Sequence, residues 1–423
     1  MTARLLTIMG SGETSPTMVK VHRDLLQRVG QPAVVLDTPF GFQENADEIA
    51  AKAMAYFRES VGADLSVATY RSSQTDDTVT YETMLTRLRE ANYVFAGPGS
   101  PSYALAQWRD SSVPAVLSSK LREGGAITFA SAAALVLGTH TVPVYEIYKV
   151  GQEPHWLDGL DIVAAARLRA AVIPHYDNAE GGTHDTRYSY LGERRLEQME
   201  EQLPADVFIL GVDEHTACIL DLDADTATVT GLGAVTIRRR GHSTRIESGA
   251  VVPLEGWRAG DDIRSGDARG GHSPRHRHQN ELGGAAAATP FLDGVRATER
   301  HFDDAVAAAD ARGAVKAVLD LDDLVAEWAH ETFSADEEEQ ARAALRSMIT
   351  RLGEAADRGL RDPRKVIGPY VDALLEARDR ARREGHFADA DAIRDRLVGA
   401  GIEINDTPTG TDWRHERQAP AGQ

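Results

Sequence analysis

The chain has 423 residues, 42% of them hydrophobic and 26% charged, and 65 acidic against 46 basic residues leave a formal net charge of −19. This composition excludes a wholly disordered chain, and the charge argues against a global attraction to nucleic acid or anionic lipid. The one cysteine, Cys218, cannot form an intrachain disulfide, which fits a reducing compartment. The first apolar run is too short for a signal peptide, and no stretch reaches the roughly 18–20 apolar residues of a membrane span. The expected location is the cytoplasm.

In chain order, residues 1–254 alternate short β-rich runs with amphipathic stretches. Leu5–Met9, Ala33–Leu36, Leu65–Thr69, Tyr93–Ala96 and Ala126–Phe129 read as strands, with helices predicted over Met18–Val29, Ala46–Ser60 and Tyr81–Ala91. Ala171–Pro174, Val207–Val212, Ala217–Leu220 and Val235–Ile237 continue the strands. Strand alternating with helix predicts an α/β, flavodoxin-like three-layer sandwich around a mostly parallel sheet. Residues 255–290 lose apolar periodicity and read as a disordered linker; His272, His276 and His278 read as part of it rather than as a metal site, since nothing fixes their geometry. Residues 291–414 read as a separate all-α domain, with helices at Tyr370–Gly385 and Asp389–Val398, and 415–423 as a tail.

The chemistry is concentrated where strands end. In Ala126-Ile-Thr-Phe-Ala-Ser131-Ala-Ala-Ala-Leu135 a buried strand runs into a helix with a serine at the junction. A nucleophile elbow has this layout, and so does an N-cap serine. Phe95-Ala-Gly97-Pro-Gly99-Ser-Pro101 and Ile8-Met-Gly-Ser-Gly-Glu-Thr-Ser-Pro16 are glycine turns whose N–H groups can face a bound oxygen. His175, in Val172-Ile-Pro-His-Tyr-Asp-Asn178, ends a strand and is a candidate general base. Gly211-Val-Asp-Glu-His-Thr-Ala217 is again at a strand edge. Loops that follow parallel strands gather at one sheet edge, where such folds bind ligands.

Together, in this order, the motifs resemble the dipeptidase E and cyanophycinase family of serine peptidases, of the class I glutamine amidotransferase-like fold, over roughly residues 4–240. The resemblance implies Ser131 as nucleophile, His175 as base and Glu146, in Pro143-Val-Tyr-Glu-Ile-Tyr148, as the acid. It implies Gly97 and Gly99 as the oxyanion-hole loop and Arg187 and Arg194 as substrate contacts, with a small peptide or amide as substrate and neither metal nor other cofactor. The family's elbow is Gly-x-Ser-x-Gly, whereas Phe129 and Ala133 stand at the flanking positions here. The alternative is a non-catalytic protein of the same fold that binds a small acidic or amide ligand.

Residues Val371–Leu397, continued by Gly401-Ile-Glu-Ile-Asn-Asp-Thr-Pro-Thr-Gly-Thr-Asp-Trp413, look like the C-terminal end of cysteinyl-tRNA synthetases, with a weaker helical likeness back to Phe291. No His-Ile-Gly-His or Lys-Met-Ser-Lys-Ser signature occurs, so aminoacylation is excluded. The resemblance implies a tRNA contact, for which Arg378, Arg382 and Arg383 are the candidates. The balance from 285 to 423, 19 basic against 28 acidic residues, opposes strong nonspecific RNA affinity and leaves a protein partner as the other reading. The sequence leaves the oligomeric state open.

Overall fold

The computed structural model describes residues 2–180, 184–259, 290–328, 335–357, 363–407 and 410–415. The chain divides into two compact units, Met1–Ala288 with Glu327–Phe333, and Thr289–Ala326 with Ser334–Gln423.

In the first unit the strands are β1 (Arg4–Met9), β2 (Ala33–Leu36), β3 (Leu65–Ala68), β4 (Tyr93–Ala96), β5 (Gly125–Ala130), β6 (His140–Thr141), β7 (Leu157–Asp158), β8 (Ala170–Ile173), β9 (Phe208–Val212), β10 (Thr216–Asp221), β11 (Thr226–Gly231), β12 (Ala234–Arg239), β13 (His242–Glu247) and β14 (Val251–Pro253). They form two sheets, in the orders β14-β11-β10-β1-β5-β4-β2-β3 and β13-β12-β9-β8-β6-β7. The run β1-β5-β4-β2-β3 is parallel throughout. Antiparallel β10, β11 and β14 extend it on the other side of β1. The predicted parallel sheet is therefore the centre of a larger mixed system. The late runs that read as further strands split between the sheets, because β9 turns back into β10 beside β1 while β12 returns to β9.

Alternation along the central strands puts successive side chains on opposite faces. Leu6, Ile8, Val94, Ala96, Ile127 and Phe129 enter one apolar core with Trp108, Leu117 and Leu121 from the helices Pro101–Trp108 and Val113–Glu123. Leu5, Met9, Tyr93, Phe95, Ala126 and Ala130 enter the opposite core with Val21 and Leu25 of Val19–Val29 and Ala53 and Tyr56 of Ala46–Tyr56. The sheet is covered on both faces, which is why its strands read as continuous apolar runs.

The first unit runs past the predicted boundary at 254. Glu255–Ala259 is a short helix whose Trp257 is fully buried, and Arg258 donates to Ala166 O at 2.9 Å and pairs with Asp225. One apolar residue in a charged stretch gave no periodicity to read. His272, His276, His278 and the remainder of the predicted linker lie outside the described residues, as does the tail from 416.

The second unit contains the helices Pro290–Ala307, Ala311–Glu327, Ala335–Asp357, Pro363–Arg383 and Phe387–Gly399. It is not purely helical: β15 (Ile402–Thr407) and β16 (Gly410–His415) form an antiparallel hairpin. Alternating Ile402 and Ile404 on β15, with Trp413 on β16, close a core with Val371, Leu375 and Leu397. The Trp413 indole N–H donates to Asp372 Oδ1 at 3.0 Å.

Candidate active site

Ser131 is the first residue of the helix Ser131–Leu135, directly after β5. Ala130 is extended, and Ser131 then takes φ +49°, a left-handed conformation that costs a non-glycine residue on the order of 1 kcal/mol. Such strain at a strand-to-helix junction is the mark of a nucleophile elbow. An N-cap serine keeps extended dihedrals; here Ala130 occupies the cap position. The small side chains around the turn have a use: Ala133 N–H donates to Gly97 O at 3.2 Å, tying the helix to the loop after β4. Phe129 does not crowd the turn. Its side chain is fully buried, with its ring 5.8 Å from that of Trp108 in the helix-facing core.

The Ser131 hydroxyl lies 2.9 Å from His175 Nε2. His175 follows β8, in the other sheet, and its loop is fixed from both sides. His175 N–H donates to Gly10 O at 3.3 Å, Tyr176 N–H to Val212 O at 3.1 Å, and Ser189 Oγ to Pro174 O at 2.7 Å. Gly10 is required for this seam, because a Cβ there would sit 1.9 Å from Asp213 O.

The other imidazole nitrogen, Nδ1, lies 2.8 Å from Glu214 Oε1. Glu214 stands between β9 and β10, in the loop that passes from the second sheet to the first. Its N–H donates to Asp177 Oδ1 at 2.7 Å, and Asn178 Nδ2, itself buried, donates to its Oε1 at 3.1 Å. An ionised carboxylate only accepts, so this contact puts the imidazole proton on Nδ1 and leaves Nε2 to accept from Ser131.

Burial works to lower the His175 pKa, but the hydrogen bond and charge of Glu214, with the charges of Glu13 and Glu180, overcome it and hold the imidazole above the ordinary histidine value. Burial works to raise Glu214; the His175 and Asn178 hydrogen bonds and the His175 charge keep it below the usual carboxylate range. Glu13, buried in the loop after β1, is pushed up by burial.

Of the residues singled out in the sequence, Ser131 and His175 are brought together and Glu146 is not their partner. Glu146 lies on the helix Val144–Tyr148, where its Oε1 accepts from Ser102 Oγ at 2.5 Å. The carboxylate on the imidazole is instead Glu214, in the motif Gly211–Ala217, which contributes to the family resemblance but in which the sequence alone assigns no acid. Gly99 has φ +137° and packs so closely on the loop after β2 that a Cβ would lie 2.0 Å from Pro39 O. Gly97 faces Glu13, whose Oε1 would lie 2.9 Å from a Cβ there. The fork of Arg187 is occupied by Asp185, at 2.8 and 2.7 Å, with Glu193 at 3.5 Å. Arg194 is exposed on the helix Gly192–Glu200. Cys218 is buried in β10 and its thiol is pushed up to about 12 by burial, which suits packing rather than reactivity.

In the second unit Arg378 is buried, which removes it from the arginines available to phosphate. It falls on the helical face of Val371 and Leu375, at the spacing that meets the apolar core. Arg382 and Arg383, further along, are exposed.

Residues 366–414 match the model of the cysteinyl-tRNA ligase anticodon binding domain. The cysteine–tRNA ligase of Salinibacter ruber is 34% identical over 139 residues, 33% of this chain and 23% of the ligase. That of Nitratidesulfovibrio vulgaris is 51% identical over 57 residues, 13% of this chain and 12% of the ligase. The chain thus spans less than a quarter of the length of these relatives. Among solved structures, a peptidase from an acI-B1 Actinobacterium is similar, with 19% identity and a TM-score of 0.49 over 59% of this chain and 97% of that one.

Proposed function

We propose that the first unit is a serine hydrolase of a peptide or amide bond, working through Ser131, His175 and Glu214. The carrying observation is the unbroken line from the Ser131 hydroxyl to His175 Nε2 at 2.9 Å and from Nδ1 to Glu214 at 2.8 Å, starting from a serine with φ +49°. As Ser131 Oγ attacks the carbonyl carbon, its proton passes to His175 Nε2, and Glu214 stabilises the imidazolium. The carbonyl oxygen takes the negative charge beside the Gly97–Gly99 loop and the N-terminus of the helix that Ser131 opens. Each backbone donor aimed at such an oxyanion is worth about 3 kcal/mol. The imidazolium then gives its proton to the leaving amine. A water, deprotonated by His175, releases the acyl group from Ser131.

A fluorophosphonate probe tests this. Labelling of the wild type that disappears in Ser131→Ala supports the hydrolase. Absence of labelling in folded wild type favours the reading as a ligand-binding protein, with its helical unit docked on tRNA or a protein partner.

For the second unit we propose an RNA contact through Arg382 and Arg383, supported by the match of 366–414 to an anticodon binding domain and by the exposure of both residues. The acidic balance of this part of the chain makes that contact selective rather than a general affinity for polyanions. Binding of a tRNA pool that is weakened by the double alanine variant tests it.

A further inference from the structure

A cavity of about 710 Å³ opens beside the Gly97–Gly99 loop, lined by Phe42, Ser100, Ser102, Tyr103, Tyr145, Glu146 and Lys149. Ser100 follows Gly99 directly, and its N–H is fixed to Pro39 O at 2.8 Å, so the cavity shares a wall with the loop next to Ser131. Its volume lies within the range of small-molecule sites, ample for a long side chain of a ligand.

Its chemistry is selective. Phe42 and Tyr103 place their rings 5.1 Å apart, and Phe42 and Tyr145 are exposed although large and aromatic. Glu146 contributes a carboxylate. Its Oε1 takes the Ser102 hydroxyl, whereas Oε2, screened from solvent, has no hydrogen-bond donor among the described residues. A buried acceptor left without a donor is unfavourable, and it marks a place where a ligand donor is expected. Lys149, the cation among the described lining residues, does not supply it. It is exposed, and its ammonium lies over the Tyr145 ring, 5.2 Å from the ring centre. Lys149 does show that the Tyr145 face accepts a positive charge. The terminal torsion of a glutamate is soft, so a small rotation presents Oε2 to the cavity.

We infer that this cavity is a subsite for a cationic group of the substrate, an alkylammonium or guanidinium, held by Glu146 against Phe42, Tyr103 and Tyr145. The inference rests on the hydrolase reading for its place beside the scissile bond. It also gives a use to the half-buried carboxylate on Val144–Tyr148 without making it part of the proton relay.

The test uses full-length Ser131→Ala protein and calorimetric titration of three peptides, Gly-Lys-Gly, its ε-acetyl form and Gly-norleucine-Gly. The lysine peptide is expected to bind at least tenfold tighter than the other two. Glu146→Gln in the same background keeps the side-chain shape and should remove that preference, leaving the acetylated peptide within about twofold. Equal affinities, a preference that survives Glu146→Gln, or no binding of the lysine peptide overturns the subsite. Because Ser131→Ala binds without turning over, wild-type labelling by fluorophosphonate is read separately. Labelling without a cation preference leaves the hydrolase and removes the subsite. Preference without labelling removes the hydrolase and leaves a cation-binding pocket. As a second measurement, kcat and KM on the lysine and acetyl-lysine peptides should differ mainly in KM.

Discussion

Glu214 meets the imidazole of His175 at 2.8 Å from a loop that leaves one sheet and enters the other, whereas Ser131 meets the same ring at 2.9 Å from the end of β5. The relay therefore spans a seam between two sheets, and it is held by backbone bonds on both sides of that seam, from His175 to Gly10 and from Tyr176 to Val212.

Replacing Glu214 by glutamine keeps the shape but removes the negative charge that stabilises the imidazolium, and its amide NH2 can face Nδ1 where the carboxylate could only accept. Turnover is expected to fall by about 10²–10⁴ with KM changed little, as when a triad acid is made neutral. The pH profile gives a further signature. His175 must be neutral to act as base, and its pKa stands above the ordinary value, so wild-type kcat/KM should rise with pH through an inflection above about 6.5. Burial lowers that pKa and Glu214 is the foremost of the groups that raise it, ahead of Glu13 and Glu180, so in Glu214→Gln the inflection should move to lower pH. An inflection unchanged by the substitution would place the titration on another group.

The backbone at Ser131 makes a separate prediction about stability. At φ +49° alanine bears the left-handed strain and glycine does not. Ser131→Gly should therefore be about 1 kcal/mol more stable than Ser131→Ala in urea unfolding, although neither variant is expected to turn over substrate. Equal stability would mean that the turn relaxes once the hydroxyl is gone.

How much of this was legible follows from where the information sits. The strands Ala33–Leu36 and Tyr93–Ala96 coincide with β2 and β4, because residues buried on both faces leave an unbroken apolar run. Ser131 and His175 could be found because each ends such a run. Glu214 could not be assigned by that reasoning alone. It belongs to a tight connection between strands of different sheets, and a linear reading does not show that β9 lies beside β8. One cue was present: β8 and β9 pair in parallel with Ile173 opposite Gly211, so an acid just past Val212 emerges beside a base just past Ile173. The burial of Arg378 was legible from its spacing to Val371 and Leu375, but a cluster of arginines reads first as a charged surface. The hairpin of β15 and β16 was masked by its polar turn.

Arg238 tests the packing behind the His175 loop. Its guanidinium is buried on β12 and pairs with Glu193 at 2.6 Å and Glu200 at 2.9 Å. Removing Arg238 strands Glu200, which is nearly buried, whereas Glu193 is partly solvated, so the cost should fall toward the lower end of the about 3–5 kcal/mol of a buried pair. Arg238→Ala should lose stability on that scale in urea unfolding, whereas Arg194→Ala, on the exposed face of the helix that carries both acids, should stay within about 0.5 kcal/mol. Similar losses for the two would show that the buried network is not what holds this helix.

The departure from a glycine elbow at Phe129 leads to the last prediction. If the ring crowded the turn, Phe129→Gly would relax the backbone and raise turnover. The ring instead points away from Ser131's loop, fully buried against Trp108 in the core that the helix Pro101–Trp108 covers. Its backbone is paired on both sides, with Ile8 of β1 and Ala96 of β4, so the strand does not need glycine's freedom there. Phe129→Ala should therefore cost about 3–5 kcal/mol through the cavity it leaves, and Phe129→Gly up to about 1 kcal/mol more, for the added backbone entropy. Because Ser131 and His175 are anchored through Gly97, Gly10 and Val212 rather than through this ring, the fraction that stays folded at low temperature should keep wild-type fluorophosphonate reactivity. Glycine that raised reactivity per folded molecule, at little cost in stability, would show that the elbow is crowded after all.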